Sequence, residues 1–226
     1  MEQSEATLSS AERILAAATA LFASYGYHGM SMRALATATG LNVATIHYHF
    51  GNKLDLYRAV FRRLAEREQA LITAYIGDIP APVIADPPAL QQRLNGLIDA
   101  LVELTLTHPE LPRLWLRRWL EQDDSPAAIE GEVSLPLYAM VLDLLQRAQA
   151  ANAIRPAIPD LRLILHSFTW ILYGYFAGGP LDPAGTRLDP TDPARVAAFK
   201  HFLHLYAARL LGLPDPPVAG NRINGA

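Results

Sequence analysis

Apolar residues recur every three to four positions along most of the chain, which is the spacing of one face of an α-helix. Near the start, Ser9 and Glu12 form a capping-box pattern ahead of such a stripe, and they predict a first helix from about Ser10 to Tyr25. Gly26 then offers a left-handed stop. Because no convincing alternation of period two appears, the pattern predicts an all-α fold.

Two short helices follow, with three residues between them. Ser31 is a good N-cap for a helix over Met32–Thr39, and Asn42 is one for a helix that begins at Val43. Gly40 can adopt a positive φ and so end the first of the two. This helix-turn-helix spacing makes the helices cross steeply and leaves the second projecting from the surface, as a helix that enters the DNA major groove must.

The projecting helix has one face that is expected to be buried and other faces that are expected to be exposed. Ile46 and Phe50 lie four residues apart and are expected to face the core. The other faces carry apolar, hydroxyl, imidazole and phenol groups that need a partner outside the chain, and a base edge is such a partner. These candidate reading residues are Val43, Ala44, Thr45, His47 and Tyr48.

A long fourth helix is predicted from about Lys53 to Ile76, with a single polar break in its apolar stripe at Glu68. The net charge of the chain is −3, so a basic surface for nucleic acid has to be local. Such a patch is predicted beside the projecting helix, where only Asp55 and Glu66 oppose the five bases Lys53, Arg58, Arg62, Arg63 and Arg67.

The composition excludes several kinds of site. The chain has no cysteine, so disulfides, thiolate nucleophiles and cysteine-ligated metals are absent. His47 and His49 point to nearly opposite sides of a helix, so no bound metal is expected, and no cofactor is predicted. The polar, acidic first residues differ from a secretory signal, and a cytoplasmic protein is expected.

No membrane span is expected. The one candidate, Leu161–Leu181, is interrupted by Arg162, His166, Ser167 and Thr169, and its apolar runs are far shorter than the roughly 18 residues that a span requires. This segment is therefore interpreted as a buried helix.

A segment rich in proline over residues 77–88 is interpreted as a linker. The predicted division is a DNA-binding domain over 1–52, a connecting helix over 53–76, the linker, a larger helical domain over 89–212 and a disordered tail over 213–226. Helical patterns in the larger domain cover about 89–107, 109–122, 126–150, 160–178 and 193–211.

Six side chains of the later helices are candidates for lining a ligand pocket, because such pockets are mostly apolar with a few polar anchors. Trp115 and Trp119 share a helix face, and Trp170 and Tyr173 lie three residues apart. Core packing is the leading alternative for each residue taken alone. The six are Trp115, Trp119, Tyr138, His166, Trp170 and Tyr173.

Roughly the first seventy residues resemble the DNA-binding domain of the tetracycline-repressor (TetR) family of bacterial transcription regulators. The resemblance rests on linked features that are specific only together. They are an Ala-rich first helix ending in Phe22 with Tyr25-Gly26-Tyr27, then Ser31-Met32-Arg33-Ala34-Leu35-Ala36, Gly40-Leu41-Asn42, Tyr48-His49-Phe50 and Lys53.

The resemblance implies that the five candidate reading residues meet bases or phosphates. It also implies that Ser31, Arg33, His49 and Lys53 lie in or near contacts with the DNA backbone, and Asn42 completes the candidate DNA-binding set. One departure is His47, which stands where the family usually has a tyrosine. Because imidazole is shorter and changes charge near neutral pH, this contact is expected to be weaker and pH-dependent.

For the later chain, the resemblance implies a variable helical domain that binds a small effector and forms a homodimer through its last two long helices, here about 160–178 and 193–211. These helices also carry more apolar surface than one inner face needs. The surplus residues are Leu163, Leu165, Phe168, Leu172, Phe176, Val196, Phe199, Leu203, Tyr206 and Leu210.

The predicted function is a ligand-responsive repressor that binds a pseudo-palindromic DNA operator as a homodimer and is released by a small, largely apolar effector. One alternative is an all-helical small-molecule-binding protein or enzyme, although the sequence has no Gly-rich phosphate loop, nucleophile elbow or paired zinc histidines. Another keeps DNA binding but has a collapsed core in place of the pocket. No enzymatic activity is predicted.

Overall fold

The computed structural model describes residues 9–120, 129–155 and 160–215. Within these ranges the regular secondary structure is helical apart from one isolated antiparallel bridge, between Leu181 and Arg187, and the all-α prediction is confirmed. The described helices are α1 Ser10–Gly29, α2 Met32–Thr39, α3 Val43–Phe50, α4 Lys53–Ile72, α5 Ala81–Ile84, α6 Pro87–Thr107, α7 Glu110–Leu120, α8 Leu135–Ala150, α9 Leu161–Gly178 and α10 Pro193–Leu211. Two π-helical turns, Thr73–Gly77 and Glu130–Ser134, continue α4 and precede α8.

The first helix begins and breaks where the sequence indicates. The capping box forms, because the Ser9 hydroxyl accepts from the Glu12 amide and the Glu12 carboxylate accepts from the Ser9 amide. Gly26 is non-helical, with φ 70° and ψ 179°. The chain makes one more turn beyond it, so α1 ends at Gly29 rather than at Tyr25.

The next three helices begin at the predicted residues because polar side chains cap them. The Ser31 hydroxyl accepts from the amide of Ala34 at 3.1 Å and begins α2. At the start of α4, the Asn52 side-chain oxygen accepts from the amides of Leu54 and Asp55 at 2.8 and 3.0 Å. These local bonds satisfy amides that a helix leaves free at its first turn.

The chain folds into two compact units, and they do not divide at the predicted linker. The N-terminal unit comprises Met1–Arg67 and Pro109–Ser134, and the C-terminal unit comprises Glu68–His108 and Leu135–Ala226. Residues 109–134 were predicted to belong to the larger domain, but α7 packs against α1 in the N-terminal unit. The division therefore falls inside α4, between Arg67 and Glu68.

Several later boundaries also differ from the sequence prediction. A short helix, α5, lies inside the predicted linker, and α6 begins at Pro87, since proline is well accommodated in a first helical turn. The helix predicted over 126–150 is helical throughout its described part, with a π-helical turn at Glu130–Ser134 before α8, and positions 126–128 lie outside the described residues. Residues 213 and 214 were predicted to belong to a disordered tail, but Leu213 is buried and the Pro214 carbonyl accepts from the Gln91 amide group; the predicted tail from 216 onward lies outside the described residues.

A series of aromatic rings runs through the core of the N-terminal unit and is called the aromatic core below. The Phe22 ring meets Tyr57 edge-on at 4.8 Å between centroids, and Tyr57 meets Phe61 at 4.9 Å. Trp115 of α7 continues the series, with its ring 4.7 Å from that of Phe61. Because these contacts join α1, α4 and α7, the long helix that follows α3 is anchored on two sides.

Aliphatic side chains from α6, α8, α9 and α10 fill the core of the C-terminal unit, among them Leu90, Leu144, Leu161 and Leu211. Two polar contacts join α6 and α10, Asp99 with His204 at 3.0 Å and Glu103 with Lys200 at 2.5 Å. None of the described helices combines the length and apolarity that crossing a membrane requires.

We expect Gly26→Ala to lower the free energy of unfolding by about 1–3 kcal/mol, because φ 70° with ψ 179° is a backbone region that only glycine adopts without strain. Gly40→Asn is the matched control. Gly40 has φ 67° and ψ 20°, a left-handed conformation that asparagine tolerates, and a Cβ there meets nothing within 4 Å. Thermal unfolding followed by circular dichroism checks both variants, and equal losses would contradict the assignment of strain to Gly26.

Candidate nucleic-acid interface

Helix α3 is eight residues long and is held by its ends and by one buried side chain. The Asn42 side-chain oxygen accepts from the Thr45 amide at 2.7 Å, which caps the N-terminus. Gly40 supplies the left-handed turn before it. Ile46 is fully buried, as predicted, whereas Phe50 is only half-buried. The helix is therefore attached along a narrow strip and leaves most of its surface outside.

The candidate reading residues divide into two groups in the structure. Ala44, His47 and Tyr48 are exposed, and Tyr48 is 86% exposed, an unusual state for a large aromatic ring. Val43 and Thr45 are half-buried. The predicted outward face of α3 thus exists, with Tyr48 as its most prominent side chain.

Thr45 has a structural role besides any contact with DNA. Its hydroxyl donates to the side-chain oxygen of Asn42 at 2.9 Å, next to the amide bond that caps the helix. The hydroxyl hydrogen is therefore already used, while its lone pairs and methyl group stay available. The cap also fixes Asn42, which makes the turn and the reading helix one hydrogen-bonded piece.

His47 lies near the C-terminal end of α3, where its Nδ1 atom is 2.6 Å from the carbonyl oxygen of Gly51. A carbonyl oxygen only accepts, so Nδ1 carries the hydrogen in this contact. Only Nε2 is left to face an external partner. In the neutral ring Nε2 is an acceptor, whereas in the protonated ring it is a donor.

The candidate backbone-contacting residues lie at helix ends around α3. The Ser31 hydroxyl accepts a bond at the N-terminus of α2 and keeps its own hydrogen to donate, and Arg33 is exposed in the same turn. His49 is exposed, with its ring 5.4 Å from that of Tyr48. Exposed donors at a helix N-terminus suit an anionic oxygen.

Lys53 begins α4 and is half-buried. Its ammonium lies 4.7 Å from the centroid of the Tyr27 ring, and Nζ is 3.5 Å from the carbonyl oxygen of His28. Burial lowers the pKa of Lys53 from its ordinary value, since desolvation disfavours the charged form. The lysine is thus held by groups that precede α2.

The predicted basic patch along α4 is partly engaged within the chain. Arg62 pairs with Glu132 at 3.3 Å, and Arg58 lies 4.0 Å from Asp55. Glu132 lies seventy positions away in sequence, so the local charge count could not include it. Both pairs are solvent-accessible and therefore weak, but they reduce the local field available to DNA.

The six candidate ligand residues fall in different units. Trp115 and Trp119 belong to the N-terminal unit, where Trp115 is only 2% exposed and packs on Phe61. Trp115 is therefore a core side chain of that unit. The other four belong to the C-terminal unit.

The C-terminal unit contains a buried polar contact between α4 and α9. The buried Tyr173 hydroxyl donates to the Glu68 carboxylate, which is also buried. Burial and the neighbouring Glu68 charge raise the pKa of Tyr173 well above its ordinary value. Burial likewise raises the pKa of Tyr138, whose ring lies 5.0 Å from that of His166.

His166 and Trp170 are exposed on α9, so the interpretation of His166 as a core histidine is wrong. Leu163 of α9, 67% exposed, and Phe202 of α10, 47% exposed, are further exposed apolar side chains on the last two long helices. Four of the residues predicted to contribute surplus apolar surface are instead buried within the C-terminal unit, because they face the helices that pack beneath. These are Leu172, Val196, Phe199 and Leu203.

The sequence reasoning did not assign a role to Tyr27 or Glu68. Tyr27 follows the Gly26 break, and its contact with Lys53 depends on how that break turns the chain. Glu68 did give a signal, as the single polar residue in the apolar stripe of α4, but its partner Tyr173 lies 105 positions away.

Comparison with known proteins gives consistent matches. A family model described as bacterial regulatory proteins, tetR family, matches residues 14–60. The chain is 30% identical over 150 residues to the HTH-type transcriptional repressor Rv1474c of Mycobacterium tuberculosis, covering 66% of this chain and 71% of that protein. It is 29% identical over 188 residues to the repressor AcnR of Corynebacterium diphtheriae, covering 79% and 87%.

The fold also matches solved structures. The fatty acid degradation regulator FadR from Bacillus halodurans superposes with a TM-score of 0.67 at 17% identity, covering 96% of this chain and 100% of that one. Because the sequence identity is only 17%, this match shows similarity of fold and nothing about function.

We expect His47→Tyr to preserve DNA affinity, because the phenol hydroxyl can donate to a phosphate from the position where Nε2 of His47 faces outward. His47→Phe is the matched control, since it keeps a ring but has no polar atom, and it should lower the affinity. Fluorescence anisotropy with labelled duplex measures both variants against the wild type. Equal affinities for the two variants would show that position 47 makes no polar contact with DNA.

Proposed function

This chain belongs to the tetracycline-repressor (TetR) family of bacterial regulatory proteins, and we propose that it is a ligand-responsive repressor that binds a pseudo-palindromic operator as a homodimer. It is a DNA-binding transcriptional regulator, as are the curated repressors that it resembles. A small, largely apolar effector would release it from the operator. Its place of action would be the cytoplasm, where bacterial DNA is read.

The observation that carries the proposal is the exposed face of α3. Tyr48 is 86% exposed and lies on a helix that is fixed by Ile46 and the Asn42 cap. A large exposed aromatic side chain in this position could enter the DNA major groove, whereas exposure to solvent alone brings it no stabilising contact. Exposed donors at Ser31 and Arg33 flank it and suit backbone phosphates. Base contacts from α3 would specify the sequence, and the flanking donors would set the register.

Dimerisation through α9 and α10 would supply the second reading helix. The exposed Leu163 and Phe202 offer apolar surface on these helices that a second copy of the chain would bury. A two-fold axis at that face would present two α3 helices to successive major grooves, about 34–36 Å apart. A pseudo-palindromic operator follows from that symmetry.

Effector control requires only differential affinity between two states of the dimer. A small molecule that prefers the state unable to span both half-sites withdraws population from the DNA-bound form, by no more than that preference. The aromatic and polar side chains of the C-terminal unit that would meet it are Tyr138, His166, Trp170 and Tyr173. The effector would therefore be mainly apolar with a small number of hydrogen-bonding groups.

The alternative of an all-helical enzyme or carrier has less support. The relatives that match over most of their length are transcriptional repressors. Among the described residues, no group of three or more histidine and carboxylate side chains could hold a metal ion.

For DNA binding, we expect the purified protein to bind duplex from its own upstream region more tightly than random duplex, with affinity falling steeply as salt rises. Tyr48→Ala should lower the specific affinity about tenfold and leave non-specific binding nearly unchanged, since a base contact carries about 1–3 kcal/mol of discrimination. Tyr25→Ala is the control, because Tyr25 is 61% exposed but lies on α1. Equal binding to upstream and random duplex at every salt concentration would contradict the proposal.

For effector binding, we expect some apolar compounds from a broad panel to change the fluorescence of Trp170 and to weaken DNA binding in parallel. A Trp115→Phe, Trp119→Phe variant leaves Trp170 as the sole tryptophan and so isolates the C-terminal unit. If no compound alters either signal while specific DNA binding persists, the C-terminal unit is a collapsed core without an effector.

A further inference from the structure

The ammonium group of Lys53 is held by a specific pair of contacts. It lies 4.7 Å from the centroid of the Tyr27 ring, within the range of a cation–π interaction, and Nζ is 3.5 Å from the His28 carbonyl oxygen. All three residues belong to the N-terminal unit. Lys53 is the first residue of α4, directly after the turn that ends α3.

The Tyr27 ring is itself fixed, so it can serve as a support. The break at Gly26 turns the chain, and the ring that follows packs against Tyr57 at 5.0 Å and against Phe22 at 6.4 Å between centroids. Tyr57 is 1% exposed and Phe22 is fully buried. The ring therefore lies at the edge of the aromatic core, and its position is set by that packing and not by the lysine.

These contacts leave the lysine ready for one more partner. An ammonium group has three donors, of which one points to the His28 carbonyl oxygen and another part of the group faces the ring. A lysine side chain that is free in solvent has to lose its rotamer freedom when it binds a phosphate. Here much of that freedom is lost before DNA arrives, and burial has already removed part of the hydration, as the lowered pKa of Lys53 indicates.

We propose that Tyr27 is a positioning residue for operator binding: its ring holds the Lys53 ammonium in the orientation that grips one phosphate beside the reading helix. This inference rests on the proposed DNA-binding function and adds to it a residue that does not touch DNA. The Gly26 break and the aromatic core are what place the ring. The reading helix and its phosphate contact are thereby tied to the same core.

The test is a double-mutant cycle on operator affinity with Tyr27→Leu and Lys53→Met. Lys53→Met should reduce the slope of log affinity against log salt by about 0.9, the loss of one phosphate contact. Tyr27→Leu should lower operator affinity about three- to tenfold when Lys53 is present but less than about twofold in the Lys53→Met background. The two effects are not additive, because the ring acts on DNA binding only through the ammonium group that it contacts. Tyr27→Phe keeps the ring and should restore wild-type affinity in the Lys53 background.

A second measurement covers the case in which Tyr27→Leu does not fold. Progressively fluorinated phenylalanines at position 27 keep the shape of the ring while weakening its negative face. Affinity should fall stepwise with fluorination when Lys53 is present and stay constant in Lys53→Met.

The outcomes separate the two proposals. Equal losses from Tyr27→Leu in both backgrounds, or no effect of fluorination, would assign Tyr27 to core packing only and overturn the positioning role. An unchanged salt slope in Lys53→Met, with specific binding intact, would also overturn it while leaving the DNA-binding function standing. If the wild-type protein itself showed no specific binding to operator DNA, that result would instead refute the proposed function.

Discussion

The reading surface depends on the attachment of α3 to the core of the N-terminal unit. A helix of eight residues does not form in water by itself, because nucleation costs more than so few hydrogen bonds return. Burial of Ile46, worth about 1.5–3 kcal/mol, and the cap from Asn42 supply part of what is missing. Because the attachment uses only one strip of the helix, the rest of its surface is free for recognition.

Charge near this helix is controlled by geometry more than by composition. The chain is slightly acidic as a whole, and two arginines of α4 are engaged with carboxylates. Lys53, by contrast, is held against an aromatic ring and a carbonyl oxygen, neither of which neutralises it. A single well-placed cation can therefore contribute more to phosphate binding than either of these two paired arginines.

The C-terminal unit combines two features that are compatible with the proposed effector-binding dimer. Its inner core is aliphatic but includes the hydrogen bond from Tyr173 to Glu68, and a buried carboxylate is retained at a cost in desolvation. Its outer face on α9 and α10 exposes Leu163, Trp170 and Phe202. Burying a polar contact and exposing apolar side chains both lower the stability of an isolated chain. An effector beside the buried contact and a second copy of the chain on the exposed face would each offset that cost.

The sequence by itself determined the all-α class, the helix-turn-helix, and the starts of α2, α3 and α4, because caps at Ser31, Asn42 and Asn52 act within three residues of the groups that they bind. It also identified the outward face of α3, since helical periodicity is local. Contacts across long separations were decided only by the tertiary structure. The placement of α7 in the N-terminal unit, the pairing of Arg62 with Glu132, the bond from Tyr173 to Glu68, and the ring of Tyr27 beneath Lys53 all depend on how helices pack. Helix packing is set by the shapes of whole surfaces, and no local pattern of residues encodes it.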